Sequence, residues 1–504
     1  MENTKADIVI KPLNEVYVKI IATQDKLYEI SDYFTYSIEN FHFMKRKNKK
    51  LDNWDGKIRL FNTFDRKLLQ GLMPRLMDLC ASMNYTVEDN RVIDETPINE
   101  KWLNNLKEEL PFPMRDYQES SIREMVKRKR SILVSPTASG KSLMIYSLTR
   151  WALDHVGGKV LIIVPNVALV HQMEGDFATY ASKSSWNVSE NVQTIYSGQT
   201  KDFYGNVIIS TWQSIHKLPD RHFEGISAVI GDEAHLYKAR SLENILKRLY
   251  HAKIRCGTTG TLDDLKIHRL MLEGIFGKAF KVATTKTLMD QDYLSKLKIK
   301  LLRLRYSEKQ NKLVRNYDYH TEVNHVVSNY ERNMFLVNLC KVMKGNTLVL
   351  FNLVEKHGKI LQELLEKHLN KPVYFIHGGV DAGVRDQIRT LVESKDDAVI
   401  LASYGTFSTG INIKRLNNII LAGSIKSKIR TLQSIGRGLR LSEHKEQCNL
   451  YDICDDHCSK GYENYLFKHS LERLQYYYNE GFKVKTLSYL LENGKVSPYK
   501  KKNS

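Results

Sequence analysis

Eight short apolar runs constrain the fold of this chain more than any other feature. "SILVSP", "KVLIIVP", "NVIIST", "AVIGDEA", "NTLVLF", "PVYFIHG", "AVILAS" and "NIILAG" follow one another from about residue 130 to about residue 455. Each ends in a polar or Gly-containing turn, and helix-like segments separate them. Near-continuous apolar runs of strand length mark strands buried on both faces, and their alternation with helices predicts an α/β fold with parallel sheets. The series is too long for one ordinary sheet, and a basic, mixed stretch interrupts it between about residues 262 and 340. Two doubly wound domains in tandem are therefore expected.

The 504 residues exceed what one core supports and imply about three or four units. Ahead of the first sheet lies a segment of different texture. Phe41 to Arg75 holds ten Lys or Arg against three Asp, whereas Leu76 to Pro113 holds three basic against eight acidic residues. "DETPINEKWLNNLKEELPFP" suggests a helix and then a linker, which sets a boundary near residue 110. The expected order is a small α+β N-terminal domain with linker (1–110), a first sheet domain (111–295), a second (296–462) and a helical C-terminal extension (463–504). In that extension "YENYLFKHSLERLQYYYNEGF" reads as a helix and "SPYKKKNS" as a basic, frayed tail.

A formal charge of +19 favours a polyanionic partner, because Lys and Arg gain affinity by releasing counterions from phosphates. No apolar stretch is long enough to span a bilayer and "MENTKADIVIKP" is no signal peptide, so no membrane partner is expected and the protein should stay in the cytoplasm, the host's if it is viral. Six scattered cysteines do not suggest disulfides. Cys448, Cys454 and Cys458 beside His457 fit no common zinc spacing, and no metal is expected there.

Three stretches carry chemistry. "SPTASGKS" lies between a strand-like run and a helix-like one, where backbone N–H groups and a helix's positive end can cradle phosphate. Gly140 would allow close approach, Lys141 would reach the terminal phosphates of a nucleotide, Ser142 would ligate Mg²⁺, and Thr137 and Ser139 complete the loop. "AVIGDEAH" ends a strand in two acids, with Asp232 suited to Mg²⁺ and Glu233 to the attacking water. "QSIGRGLR" places Arg437 and Arg440 on one helical face with Gln433 a turn earlier, suited to a transferring phosphoryl group, although a solvated face has the same spacing.

In this order "PTASGKS", "DEAH", "TTGTL" and "QSIGRGLR" resemble the motif set of superfamily 2 helicases and translocases. Ser135-Pro136 in place of the loop's first Gly is a variant of that family. The resemblance implies two RecA-like motor domains. It also implies adenine recognition by Arg115 and Gln118 in "RDYQ", strand contacts at Pro165, Thr211 and Gln213, and coupling of hydrolysis to movement through His235 and Thr259 to Thr261. In "LASYGTFSTGINI" it implies a strand contact at Thr406 and nucleotide contacts at Gly410 and Asn412.

"NWDGKIRLFN", "LLQGLMPRL" and the "SKI" and "LQSIGR" run are similar to phage UvsW-type helicases. That family implies an ATP- and Mg²⁺-dependent DNA helicase acting on branched DNA, namely forks, recombination junctions and R-loops, with RNA present in hybrids. Lys45, Arg46, Lys47, Lys49 and Lys50 are the expected DNA contacts of the N-terminal domain; Phe41, Phe43 and Trp54 could stack on bases, while Trp54 and Phe61 are expected mainly in its core. Two alternatives share parts of the pattern: an RNA helicase, and an annealing protein whose nucleotide site is only structural.

Overall fold

A computed structural model describes all residues except 1–5, 39–40, 42–44, 47–52, 95–96, 238–239, 263–265, 411–412, 414, 440–446, 493–494 and 500–504, and gives only the backbone of 240–241, 382, 408–410, 437 and 495. The chain forms two compact units. One comprises Met1–Ser135 and Gly140–Val282, the other Pro136–Ser139 and Ala283–Ser504.

The first unit opens with strands β1 (Ile8–Pro12) and β2 (Tyr17–Ile21), helix α1 (Gln24–Tyr33), β3 (Thr35–Ser37), β4 (Lys57–Arg59), β5 (Lys67–Leu69), α2 (Met73–Ser82) and β6 (Val87–Asp89). Four of the strands make a mixed sheet in the order β5-β2-β1-β6, and β3 pairs with β4. Alternating Ile8, Ile10, Val18 and Ile20 face Leu27, Ile30 and Leu76 of the helices, so period-2 and period-3.6 patterns share one core. Phe61 joins that core; Trp54, expected there, is half-buried outside it, edge-on to Phe41 with ring centroids 5.3 Å apart.

Helices α3 (Glu100–Glu109) and α4 (Asp116–Arg128) lead into a sheet of β7 (Arg130–Val134), α5 (Lys141–His155), β8 (Lys159–Val164), α6 (Val167–Tyr180), β9 (Val192–Ile195), β10 (Val207–Thr211), β11 (Ile226–Gly231), β12 (Ile254–Thr259), α7 (Lys266–Phe276) and β13 (Ala279–Phe280). The strands run β13-β7-β12-β11-β8-β10-β9, and every pairing is parallel. Successive residues enter separate cores on the two faces: Val160 and Ile162 pack with α3 to α6, Leu161 and Ile163 with α7. The N-terminal domain is docked on this sheet domain. Leu270 of α7 belongs to the small domain's core, Arg75 pairs with Glu273 at 2.7 Å, and a Cβ on Gly71 would stand 2.0 Å from the Glu273 carbonyl oxygen. Glycine is required there because any side chain would meet backbone.

The second unit holds β14 (Lys296–Tyr306), α8 (Tyr319–Ser328), α9 (Tyr330–Val342), β15 (Thr347–Phe351), α10 (Lys359–His368), β16 (Val373–Ile376), β17 (Val399–Ser403), α11 (Tyr404–Gly410), β18 (Asn418–Leu421), α12 (Lys428–Gly438), β19 (Gln447–Asp456), α13 (Tyr465–Asn479), β20 (Val484–Glu492) and β21 (Lys495–Pro498). Its sheet runs β16-β17-β15-β18-β19-β14-β20-β21, parallel except for the β20–β21 hairpin. The expected C-terminal helix is α13, and its Arg473 forms a fully buried ion pair with Asp452 of β19 at 2.7 Å. The chain then adds two strands. The segment expected to fray is paired through Tyr499, whose N–H donates to the Ser488 carbonyl at 2.8 Å and whose ring lies 4.4 Å from the Arg305 guanidinium.

Candidate nucleotide site and strand-facing residues

At the carboxyl end of β7 the chain turns through Ser135 to Gly140 into α5. Ala138 and Gly140 adopt left-handed backbone, φ 67° and 79°, as a tight phosphate loop needs. Gly140 is also fixed by its neighbour, since a Cβ there would lie 2.4 Å from the Gln118 amide nitrogen. Gln118 is buried, and its side-chain carbonyl accepts the Arg115 N–H at 3.0 Å, which caps the start of α4. The half-buried Arg115 donates through Nη1 to the Tyr117 hydroxyl at 3.0 Å. Arg115, Gln118 and Gly140 thus gather at one place. Lys141 begins α5 and its Nζ lies 3.3 Å from the Ser135 carbonyl. Ser142 meets the Tyr180 hydroxyl at 2.7 Å, a contact 38 residues away along the chain with no signal in the sequence. Burial, with Asp176 adding, pushes the Tyr180 phenol up to about 12, so it stays a hydroxyl at neutral pH.

The acids sit at the carboxyl end of β11. A Cβ on Gly231 would lie 2.7 Å from the Tyr237 ring, so the residue before the acids must be small for Tyr237 to bond the Ile163 carbonyl at 2.7 Å. Asp232 is buried and accepts from the Thr258 hydroxyl at 2.7 Å. Burial first and Glu233 second raise the Asp232 carboxyl above its ordinary range; the Lys141 charge and Thr258 act in the opposite sense. Glu233 holds a left-handed backbone at φ 48°, unusual for a residue with a side chain. Its carboxylate lies 3.2 Å from His235 Nδ1, which also meets the Thr259 hydroxyl at 2.8 Å. Thr259 in turn donates to the Thr261 carbonyl at 2.9 Å. His235 and Thr259 to Thr261 therefore form one chain of contacts from the acid pair. A left-handed loop with a lysine, and beside it two acids whose mutual repulsion a cation would relieve, form a donor set that suits a magnesium-bound nucleoside triphosphate.

The other sequence candidates fall as follows. Pro165 follows β8 and Thr211 ends β10; the two strands are neighbours, with Thr211 opposite Val164, so these residues share the carboxyl edge. Thr211 is buried with its hydroxyl 2.9 Å from Ser214, and Gln213 is exposed. In the second unit Thr406 is buried and pairs with Ser403 at 2.8 Å. Gln433 is half-buried on α12, whose backbone includes Arg437, and Gly410 ends α11. Lys45 is half-buried and Arg46 exposed. Lys47, Lys49, Lys50, Phe43, Asn412 and Arg440 lie outside the described residues, as does the Arg437 side chain. A cavity of ≈ 540 Å³ opens at the carboxyl ends of β15 and β18, with His320, Asn352, Lys356, Lys426 and Arg430 in its wall. Nothing in the sequence had marked it.

Three family models match the chain: "DNA helicase UvsW, N-terminal" over residues 7–89, "Type III restriction enzyme, res subunit" over 111–264, and "Helicase conserved C-terminal domain" over 331–442. The ATP-dependent DNA helicase uvsW of Enterobacteria phage T4 is 32% identical over 491 residues, 92% of this chain and 96% of that protein. A crystal structure of T4 UvsW aligns over 96% of this chain and 99% of its own at 29% identity and a TM-score of 0.49. The DNA-bound ATP-dependent Type ISP restriction-modification enzyme LlaBIII covers 75% of this chain and 32% of its own at 15% identity and a TM-score of 0.56, a likeness of fold. Among the described residues no helix is long and apolar enough to cross a membrane. With the N-terminal, ATP-binding and C-terminal helicase segments matched in order and the T4 protein matched nearly end to end, the chain belongs to the UvsW family of superfamily 2 helicases and is an ATP-dependent DNA helicase.

Proposed function

We propose that this helicase remodels branched DNA, namely forks, recombination junctions and R-loops, by translocating along one strand while its N-terminal domain holds the duplex. One observation carries the proposal. The N-terminal domain, which carries the basic segment Phe41 to Arg75, shares a core with α7 and is pinned by the Gly71 contact and the Arg75–Glu273 pair, so it and the ATP-binding sheet lie in one compact unit. A duplex held by that domain would be carried with each movement of the motor.

In this account Gln118 and Arg115 read the adenine, while Thr137, Ser139, Gly140 and Lys141 bind the phosphates. Ser142 and Asp232 would hold Mg²⁺, which when bound would neutralise phosphate charge. Glu233 polarises the attacking water, and His235 and Thr259 relay its state to the sheet edge. Arg437 and Arg440, with Gln433 a turn earlier, would stabilise the transferring phosphoryl group, and Gly410 and Asn412 would be further nucleotide contacts. Pro165, Gln213 and the Thr211 and Thr406 backbones would track the strand, both of those hydroxyls being engaged internally. The basic wall of the second unit's cavity adds phosphate contacts.

The test is branch migration of a synthetic four-way junction by the full chain with ATP and Mg²⁺. Lys141→Ala should abolish it. Charge reversal at Lys45, Arg46 and Lys47 should slow it severalfold while leaving hydrolysis stimulated by a short single strand intact. An N-terminal charge reversal without effect on junctions would remove the assigned role of that domain.

A further inference from the structure

At the amino edge of the second unit's sheet, Lys296, Lys298 and Lys300 alternate along β14 and so project from one face. Strand β20 lies beside it with Lys485 directly opposite Lys300, and Lys483 just ahead of the strand has the same parity. On the other side the residues opposite the three lysines are Gln447, Asn449 and Tyr451. The face carries no carboxylate at these positions. Lys296, Lys298, Lys483 and Lys485 are exposed, and Lys300 rests over the Tyr451 ring at 5.1 Å. Among the described residues none of the five takes part in an ion pair. The amides beside them are ordered by one another: Gln447 donates to Asn449 at 2.8 Å, and Asn449 to Asn418 at 3.3 Å.

Like charges directly opposite on neighbouring strands destabilise a sheet, and among the described residues no ion pair offsets these. The folded chain therefore presents a flat donor surface, with lysines about 6.7 Å apart along a strand, strands about 4.8 Å apart, and no carboxylate at the positions paired with them. Neither the sequence motifs nor the site residues above use it. Within the second unit it stands at the amino edge: β14, β19 and β20 are parallel, so their first residues lie opposite the carboxyl ends that bear the cavity, roughly 30 Å away along β14 by the rise per residue, while the Leu439 carbonyl accepts the Ser295 N–H at 2.8 Å and so brings the end of α12 beside β14.

We propose that this lysine face is a second DNA-binding surface, which holds the phosphate backbone of a duplex segment other than the strand being tracked. The occupant is DNA because the surface combines unpaired ammonium groups with neutral amides on a flat sheet, which binds a phosphate backbone without regard to sequence, and DNA is this helicase's substrate. The proposal deepens the branched-DNA reading, which requires that more than one arm be held, and it rests on that reading for its purpose only.

The experiment compares the full chain with Lys298→Gln/Lys300→Gln/Lys485→Gln. Affinity for a 12-nucleotide single strand, a long duplex and a four-way junction is measured from about 50 to 200 mM salt. Relief of like-charge repulsion should leave the thermal midpoint equal or higher, which separates lost binding from lost folding. Expected are at least tenfold weaker binding to duplex and junction near 100 mM salt, a log–log salt slope shallower by about 2 to 3, and unchanged affinity for the short strand. Unchanged slopes and affinities on every DNA would overturn the proposal, as would an equal loss on the short strand, which is too short to leave the motor track. Should the wild-type chain ignore junctions while the triple variant still loses duplex affinity, the branched-DNA reading fails and the second surface stands.

Discussion

At the end of β11, burial and the Glu233 carboxylate both hold the Asp232 carboxyl above its ordinary range, so the ionised form weakens the first unit at neutral pH. The sign follows from proton binding. Between the unfolded carboxyl's pKa near 3.8 and the raised folded value, the folded chain holds more protons, and its stability falls as pH rises through that window. Asp232→Asn should therefore stabilise the metal-free protein at pH 7.5 by about 1–3 kcal/mol, with the gain vanishing towards pH 4, as read by urea unfolding. Added Mg²⁺ should raise the wild-type midpoint more than that of the variant. An Asn variant less stable at every pH would mean that the carboxylate is compensated by its neighbours. Much of this site was legible beforehand, because Gly140, Lys141, Asp232 and Glu233 are adjacent in short sequence patterns. The Tyr180 contact to Ser142 and the Tyr237 ring beneath Gly231 were not, since each depends on residues brought together only by the fold.

Among the elements, the turn between β15 and α10 is wound as a π-helix over Val354–Gly358, and it buries His357 with neither ring nitrogen hydrogen-bonded. Burial, with the Arg332 charge adding, lowers the His357 pKa to about 3, so the ring is neutral in the fold while the unfolded chain takes a proton below about 6.5. Stability is thus lost as pH falls from about 6.5 towards 3. His357→Leu should flatten this dependence, matching or exceeding wild type by about 1–3 kcal/mol at pH 7 and gaining more at pH 5 in thermal unfolding. A steeper acid dependence in the variant would contradict the assignment. Packing between elements gives a second prediction. Gly71→Ala forces a methyl against the Glu273 carbonyl and should lower the unfolding free energy of the first unit, read by urea unfolding, by about 1–3 kcal/mol, while a substitution at exposed Phe64 should not. The eight apolar runs all became strands, but β12, β14 and β19 were harder to see. Their interiors hold Arg255, Arg303, Asp452 and Asp455, charges whose partners are supplied by other elements: the Arg255 guanidinium donates to the carbonyls of Leu246, Leu249 and Ile275, and Arg332 pairs with Asp455 at 2.7 Å. A buried charge hides a strand from any reading of hydrophobic pattern.

For the whole molecule, the charge of +19 is organised, with a basic N-terminal segment, a basic cavity wall at one sheet edge of the second unit and a lysine face at the other. Such a distribution suits a protein that binds several stretches of phosphate backbone, and it makes affinity for DNA steeply dependent on salt. The central claim is that nucleotide hydrolysis here is driven by branched DNA. The most direct measurement is steady-state ATP hydrolysis with no nucleic acid, single-stranded DNA, duplex, a four-way junction and RNA, each beside Glu233→Gln. The account predicts strongest stimulation by the junction and a loss of roughly 10²–10⁴ in turnover for the variant at an equal or higher thermal midpoint. Hydrolysis indifferent to DNA structure, or retained by Glu233→Gln, would contradict it.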